Sequence, residues 1–303
     1  MKKKIVVVGS CNTDLVIRTS SFPKPGETVM GSDFNIFAGG KGANQAVAAS
    51  RLGADVVFVT RVGDDSFGNT AIQGFKKEGM LTDYVFKDTS HPSGVATITL
   101  NESGENSIIV APGANNALTK ENVASIKEEL RGSEILLVQL EVPLPSVLHA
   151  IELAHSLHKK VILNPAPACE LPKEVYGKIN VITPNETEAF LLTGVDVVDE
   201  SSASRAAAKF LGWGVKHVVI TMGEKGVFFK DAADAYLMPA IKTNVQDTTA
   251  AGDIFNGALA VGLAEGESWS TALKFANIAA SIGVSRLGAQ ASIPFREEVL
   301  KYL

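Results

Sequence analysis

Residues 135–163 read ILLVQLEVPLPSVLHAIELAHSLHKKVIL, and the fold is decided there. A mostly apolar run, Ile135–Gln139, is followed by a stretch with helical leucine spacing, Pro145–Leu157, and then by a second apolar run, Val161–Leu163. Strand, helix and strand in succession make a βαβ unit, whose crossover leaves the two strands parallel. The same rhythm continues outward. On the C-terminal side a strand at Val181–Ile182 leads to a helix at Glu186–Leu192. A helix at Ser202–Leu211 leads to a strand at Val218–Thr221, and two long helices follow near Phe255–Ala264 and Trp269–Arg286. On the N-terminal side the spacing predicts a helix over Lys120–Leu130, a buried strand at Ile5–Val8, a helix at Gly42–Leu52, a strand at Val56–Val59 and a helix at Phe67–Gly79. Such alternation predicts an α/β fold, a mostly parallel central sheet with helices on both faces. Two stretches break the rhythm. Leu15–Phe37 is rich in turn formers (Pro23, Pro25, Gly26, Gly31), and Val95–Leu100 with Ser107–Val110 reads as a strand pair around the polar turn Asn101–Asn106. They form a small β excursion from one domain spanning 1–303, with no linker, repeat or low-complexity tract.

With 303 residues, 46% apolar and 20% charged, the chain can bury a sizeable core without disulfides or structural metals. Its net charge of −5 argues against a nucleic-acid or anionic-membrane partner. Phosphate binding must then come from backbone N–H groups and single cations. Cys11 and Cys169 form no CxxC pattern, and the apolar run after Lys2-Lys3-Lys4 ends at Gly9, too short for a signal peptide or a span. A soluble, cytoplasmic protein is expected.

In parallel sheets ligands bind beyond the carboxyl ends of the strands, so the polar segments after strands are where chemistry is sought. Asp247-Thr248-Thr249-Ala250-Ala251-Gly252-Asp253 opens an apolar helix. Small residues at 250–252 leave first-turn N–H groups uncovered, and the positive end of the helix dipole favours an anion. The same dipole favours ionised Asp253, which can then accept a proton. Together they suit attack of a hydroxyl on a phosphoryl group. The pattern also describes a plain capped helix start.

Ala38-Gly39-Gly40-Lys41-Gly42-Ala43-Asn44 opens another helix. Its glycines permit close backbone approach to a ligand, and Lys41 and Asn44 offer donors to hydroxyls, although a structural turn reads the same. It is neither a Walker A loop nor a GxGxxG dinucleotide fingerprint. In Thr183-Pro184-Asn185-Glu186-Thr187-Glu188, Asn185 and Glu188 share one face of a first turn. They can hold the waters of Mg²⁺ beside phosphate oxygens, or simply cap the helix. Thr221-Met222-Gly223-Glu224-Lys225-Gly226 is a weak phosphate-loop signal or a tight turn. Asn12 and Asp14 after the first strand, and Glu141 after that at 135–139, are placed for sugar hydroxyls or for turns. His155 and His158 lack a third ligand in the sequence, and no zinc site is expected.

The order and spacing of these segments resemble the PfkB, or ribokinase-like, family of carbohydrate kinases along essentially the whole chain. The likeness is greatest to ribose-phosphorylating members, in Gly40–Ala49, Asn164–Ala168, Ile182–Glu188 and Asp247–Ala258. Ala250 stands where the broader family more often has glycine. The resemblance implies ATP-dependent phosphorylation of the primary 5-hydroxyl of a pentose, D-ribose foremost, with deoxyribose, a ketohexose or a nucleoside as rival acceptors. It implies Asp253 as catalytic base with Ala250, Ala251 and Gly252 as anion hole. Asn12, Asp14, Gly40, Lys41, Asn44 and Glu141 would hold the sugar, and Asn185, Thr221, Gly223, Gly226, Gly252 and Asn277 the ATP. Glu188 would hold Mg²⁺ through water. Asp247, Thr249, Gly283, Arg286, Gly288 and Ser292 would form a monovalent-cation site for K⁺. The β excursion, about 15–37 and 95–110, would be a lid that also pairs two subunits into a homodimer. Two readings of other classes are a catalytically silent sugar-binding regulator and a dehydrogenase; intact Asp253 speaks against the first and the missing glycine fingerprint against the second.

Overall fold

Ile5, Val6, Val7 and Val8 are all fully buried, because helices cover both faces of their strand. The computed structural model describes residues 2–103 and 105–303; Met1 and Gly104, the latter inside the expected 101–106 turn, lie outside the described residues. The N-terminal half runs β1 (Lys4–Val8), β2 (Asn12–Thr19), β3 (Gly31–Gly39), α1 (Lys41–Arg51), β4 (Asp55–Gly63), α2 (Ser66–Lys77), β5 (Val85–Asp88), β6 (Gly94–Leu100) and β7 (Asn106–Ala111). Then come α3 (Lys120–Ala124), α4 (Lys127–Arg131), β8 (Ile135–Val138), α5 (Leu144–Ser156), β9 (Lys160–Leu163), α6 (Lys173–Tyr176), β10 (Val181–Ile182), α7 (Glu186–Thr193) and α8 (Glu200–Gly212). The chain closes with β11 (His217–Thr221), β12 (Val227–Lys230), β13 (Ala235–Met238), α9 (Ala251–Glu265), α10 (Trp269–Val284) and α11 (Arg296–Leu300).

Nine strands form the main sheet in the order β13-β12-β11-β10-β9-β8-β1-β4-β5. Those from β11 to β5 are parallel, and β12 and β13 extend the edge antiparallel. Alternate residues of β1 divide between two cores. Ile5 and Val7 lie in the core covered by α1 and α9, whereas Val6 and Val8 lie in the core that α5 covers on the other face. Full burial of such a side chain contributes about 1.5–3 kcal/mol, so a strand covered on both sides is held far more firmly than its five residues suggest. After β1 the strands add on one side as β4 and β5 and then on the other as β8 to β11, so the strand order reverses between β1 and β8. A crevice opens at the carboxyl ends of strands at such a switch point.

The β excursion is a four-stranded sheet, β3-β2-β6-β7. Its strands are longer than the turn-rich sequence suggests, since β2 and β3 pair from Asn12↔Gly39 out to Thr19↔Gly31. Three strands were not legible in the sequence: β5, β12 and β13, of which β13 is mostly half-exposed and carries little apolar alternation. The expected 120–130 helix is two pieces, broken at Ser125–Ile126, and α11 follows the two long helices.

Candidate active site

Helix α9 begins at the mouth of the crevice. Its N-cap, Ala250, has φ 61° and ψ 8°, a left-handed conformation that costs a residue with a Cβ about 1–2 kcal/mol. No side chain caps the turn. A Cβ added at Gly252 would meet nothing within 4 Å, so the first turn of the helix is open to the crevice. Donors without helical partners at a positive dipole end are a ready anion site.

Asp253, one residue on, is buried, and its two oxygens are held separately. Asn44 Nδ2 donates to Oδ2 at 2.9 Å and Gln45 Nε2 to Oδ1 at 3.0 Å. Both donors come from α1, which packs on α9 through small residues. A Cβ on Gly257, one turn below Asp253, would stand 2.6 Å from Ala48 Cβ and 2.8 Å from the Gln45 carbonyl. Burial, the strongest influence, raises the Asp253 pKa, while Lys41 and the two amide donors pull it back. The sequence leads one to expect the helix dipole to hold this group ionised; burial instead raises its carboxyl above the ordinary range, which makes its ionised form the stronger proton acceptor.

Gly9 and Gly42 let α1 dock against the end of β1. A Cβ on Gly42 would lie 2.5 Å from the Gly9 carbonyl carbon, and one on Gly39 would strike the Asp14 carboxylate. Gly40 has φ 90° with the Asn12 amide 2.7 Å from a built Cβ. The glycine cluster therefore admits the protein's own chain. That close fit fixes Lys41, whose N–H donates to Glu141 Oε2 at 3.0 Å, the oxygen that also accepts from Ser10 Oγ at 2.5 Å. Burial works against charge on the Lys41 ammonium, but the carboxylates of Asp253, Glu141 and Glu188 outweigh it and hold its pKa above the usual value. Burial, with Glu141 and Asp253 nearby, pushes Asp14 up to about 6. Asn12 is oriented by Asn115, whose Nδ2 donates to its Oδ1 at 2.7 Å. Asn12, Asp14, Gly40, Lys41, Asn44, Glu141 and Asp253 thus converge on one end of the crevice.

Toward the other end lies a cavity of about 200 Å³ lined by Lys41, Asn185, Glu188, Thr221, Gly252 and Asp253 among others. Asn185 and Glu188 cap α7 reciprocally, Asn185 Oδ1 accepting the Glu188 N–H at 2.7 Å and Glu188 Oε2 the Asn185 N–H at 2.9 Å. The capping alternative is therefore real, and the pair lines the cavity as well. Burial raises the Glu188 pKa against the Asn185 N–H and Lys41. Glu188 and Asp253 are the carboxylates lining the cavity, and no group of three or more His, Cys, Asp or Glu able to hold a metal occurs among the described residues. A donor set this sparse suits Mg²⁺, which keeps its waters and leans on substrate phosphates. After β11, Gly223 and Gly226 have φ of 54° and 108°, and a Cβ on Gly226 would lie 2.0 Å from the Met238 carbonyl oxygen. The loop's Lys225 pairs with Glu186 at 3.0 Å. Asn277 lies apart from the cavity lining; its Nδ2 donates to the Pro239 carbonyl at 2.9 Å and holds the loop after β13.

The remaining candidates gather behind the start of α9. Asp247 Oδ1 accepts the Thr249 N–H and Oδ2 the Gly288 N–H, each at 2.9 Å. Burial opposes its charge, but these bonds prevail and keep the carboxyl below its usual range. Gly283 packs on Ile254 with Ser292 Oγ beyond it, and its carbonyl accepts the Arg286 N–H. A lasting negative charge among carbonyls and hydroxyls fits a monovalent cation.

Residues to which the sequence assigns no catalytic or binding role complete the site. Gln45, Gln139, Asn164, Thr183 and Asn256 form a buried polar chain, with Thr183 Oγ1 donating to Asn256 Oδ1 at 2.6 Å and Asn256 Nδ2 to the Gly252 carbonyl at 2.8 Å. The signal for two of them was available: Gln139 and Asn164 each follow an apolar strand directly.

A mostly parallel α/β sheet whose switch-point crevice joins a carboxylate to an uncapped helix N-terminus suits a phosphotransferase of the kinase class. The chain belongs to the pfkB family of carbohydrate kinases, whose model matches residues 2–296. A ribokinase from Haemophilus influenzae is 45% identical over 303 residues, covering 100% of this chain and 99% of its own. A deoxyribokinase from Salmonella typhi is 39% identical over 300 residues, 99% of this chain and 98% of its own. The structure of Arabidopsis thaliana ribokinase complexed with ribose and ATP matches with a TM-score of 0.92 at 35% identity, covering 99% of this chain and 98% of that one. The protein is a carbohydrate kinase.

Proposed function

We propose that this chain is an ATP-dependent ribokinase that transfers the γ-phosphoryl group of ATP to the 5-hydroxyl of D-ribose. The observation that carries the reading is Asp253: a buried carboxylate, basic for its kind, in the first turn of a helix that no side chain caps and that Gly252 leaves uncovered. Ribose lies among Asn12, Asp14, Gly40, Lys41, Asn44 and Glu141. Asn44 Oδ1 is buried without a hydrogen-bond partner, an acceptor that a sugar hydroxyl would satisfy. The 5-hydroxyl oxygen attacks the γ-phosphorus as its proton passes to Asp253, and the bond to the β-phosphate oxygen breaks. The N–H groups of Ala250 and Gly252, with that of Ala251 once it leaves the Thr248 carbonyl it meets at 3.2 Å, face the charge on the transferred group. Lys41 is held charged by its carboxylate neighbours and adds a cation at the same point.

ATP extends from that turn past Asn185 and Thr221 toward Gly223, Gly226 and Asn277. Mg²⁺ would be held by the phosphates and, through water, by Glu188, neutralising phosphate charge. K⁺ would sit on Asp247, Thr249 and Ser292 with the backbone of Gly283, Arg286 and Gly288, steadying the loop that carries the anion hole. The four-stranded sheet (about 15–37 and 95–110) acts as a lid on a single domain spanning 1–303, excludes water as a competing acceptor, and joins two subunits. Two free cysteines suit the cytoplasm, and no described helix is long and apolar enough to cross a membrane. The related deoxyribokinase keeps deoxyribose as the second reading. Product identification after incubation with ATP and ribose, deoxyribose, fructose or adenosine tests the proposal. Ribose 5-phosphate as main product is expected, and a higher kcat/KM for another acceptor replaces ribose. Asp253→Asn should cut turnover by roughly 10²–10⁴-fold with ribose binding nearly intact. Turnover within tenfold of the parent removes the general-base role.

A further inference from the structure

Behind Asp253 runs a chain of buried amides that the proposed transfer does not use. Gln45 and Gln139 are wholly buried and Asn164 nearly so. Gln45 Nε2 spends its two hydrogens on Asp253 Oδ1 and Asn164 Oδ1, each at 3.0 Å, and its Oε1 accepts from Gln139 Nε2 at 2.5 Å. Chemistry fixes the direction of this chain. A carboxylate only accepts, so Gln45 must turn its NH₂ to Asp253, and its oxygen is then left for the NH₂ of Gln139. A Cβ on Gly9 would stand 2.0 Å from Gln139 Oε1, so the bare backbone at the end of β1 makes the room that Gln139 fills.

The two oxygens of Asp253 are therefore unequal. Oδ2 is held by Asn44, on the sugar side, and Oδ1 by a glutamine with no solvent exposure. We infer that Gln45 is a positioning residue that anchors Oδ1 so that Oδ2 is the oxygen receiving the substrate proton, with Gln139 locking Gln45 in that orientation. The inference rests on Asp253 acting as the general base. Asn44 also offers its free Oδ1 to the sugar, so Gln45, bound to protein on every side, is what keeps the carboxylate from rotating about its Cβ–Cγ bond. Misplacement of a reacting group by about 1 Å can cost 10²-fold in rate, so one donor in this place has leverage. A hydrogen bond to the ionised form also favours it, opposing the burial that raises this carboxyl.

Gln45→Met keeps the length and volume of the side chain and removes its hydrogen bonds. For the full-length enzyme, kcat and the KM for ribose are measured from about pH 5 to 9, beside thermal unfolding, with Asp253→Asn in parallel. The expected result is a kcat lower by about 10- to 100-fold, a ribose KM within about threefold, and an acid limb of the kcat profile moved to higher pH. A side chain that only fills space would lower the unfolding temperature and leave kcat and the limb in place, which overturns the inference. Should Gln45→Met fail to fold, Gln139→Met releases the lock alone, and the same pattern at roughly 3- to 10-fold is expected. An unchanged kcat and limb there overturns it equally. If Asp253→Asn is crippled while folded Gln45→Met is normal, this inference alone falls; if Asp253→Asn keeps its turnover, the general base falls and the inference with it.

Discussion

Asp14 shows what the proposed sugar pocket costs. Its carboxyl, raised by burial and by Glu141 and Asp253 to about 6, is ionised at neutral pH only against the pull of its surroundings. The unfolded chain gives up this proton near pH 4. Between about 4 and 6 the folded state therefore binds more protons than the unfolded one. The contribution of Asp14 to stability is fully present below that window and lost as pH rises through it, on the order of 2 kcal/mol. Asp14→Asn, which cannot ionise, should then unfold several degrees above the parent at pH 7.5, the advantage vanishing near pH 4. The same variant should raise the ribose KM by about tenfold or more, because a site built to hydrogen-bond a hydroxyl loses that bond. Calorimetry at both pH values checks the first statement; equal unfolding temperatures at pH 7.5 remove Asp14 from this role. That Asp14 is polar and follows a strand was legible in the sequence. Its pKa was not, because that depends on Glu141 and Asp253, 127 and 239 positions away in the chain.

Between elements, the decisive contact is α1 against α9. The alanine-rich stretch Ala46–Ala49 reads only as a helix in the sequence, and Gly257 only as one apolar position among many. In the fold they meet so closely that Gly257 has no room for a Cβ, and the approach is what lets Asn44 and Gln45 reach Asp253. The βα alternation and the segments after strands could be read from local periodicity. This pairing could not, since α1 and α9 lie 200 residues apart and small residues carry no signal of their partner. Gly257→Val should destabilise the enzyme by about 1–3 kcal/mol through overpacking and lower kcat by roughly tenfold or more as the amides shift from the carboxylate. Denaturant unfolding and steady-state kinetics test both, and parental values for both refute the contact's importance. The start of α9 and the end of α10 meet in the same way, with Asp247 accepting the Gly288 N–H. A cation held there would stiffen the turn that offers N–H groups to phosphate. Replacing Na⁺ by K⁺ at constant ionic strength should raise kcat/KM for ribose, whereas indifference to the ion argues that the turn is rigid without it.

At the scale of the whole molecule, the four-stranded sheet leaves apolar side chains bare on both faces, and one face carries the longer stripe. Directly paired residues share a face, so Ile36, Leu15, Thr97 and Ile109 form one row and Phe34 and Ile17 begin the next. Asp14, Phe37, Ala96 and Val110 lie on the opposite face, where Asp14 is buried toward Glu141 and Asp253 while Val110 is about half-exposed. The outer rows leave Ile109 71% exposed, Phe34 58% and Ile36 54%. An apolar stripe of this kind on a sheet whose outermost strands, β3 and β7, are unpaired is not left to water in a stable soluble protein. A second copy laying its own outer rows across these would bury both stripes around a twofold axis, which makes the patch self-complementary. Because β2 carries Ile17 outward and Asp14 inward, the partner's grip would also hold the lid over ribose. Ile109→Glu places a charge in the middle of the stripe. It should convert a dimeric parent into a monomer at micromolar concentration in sedimentation velocity, and raise the ribose KM by about tenfold while leaving the fold intact by circular dichroism. A parent that sediments as a monomer would leave the stripe without this partner, and a variant that remains dimeric would put the subunit contact elsewhere on the surface.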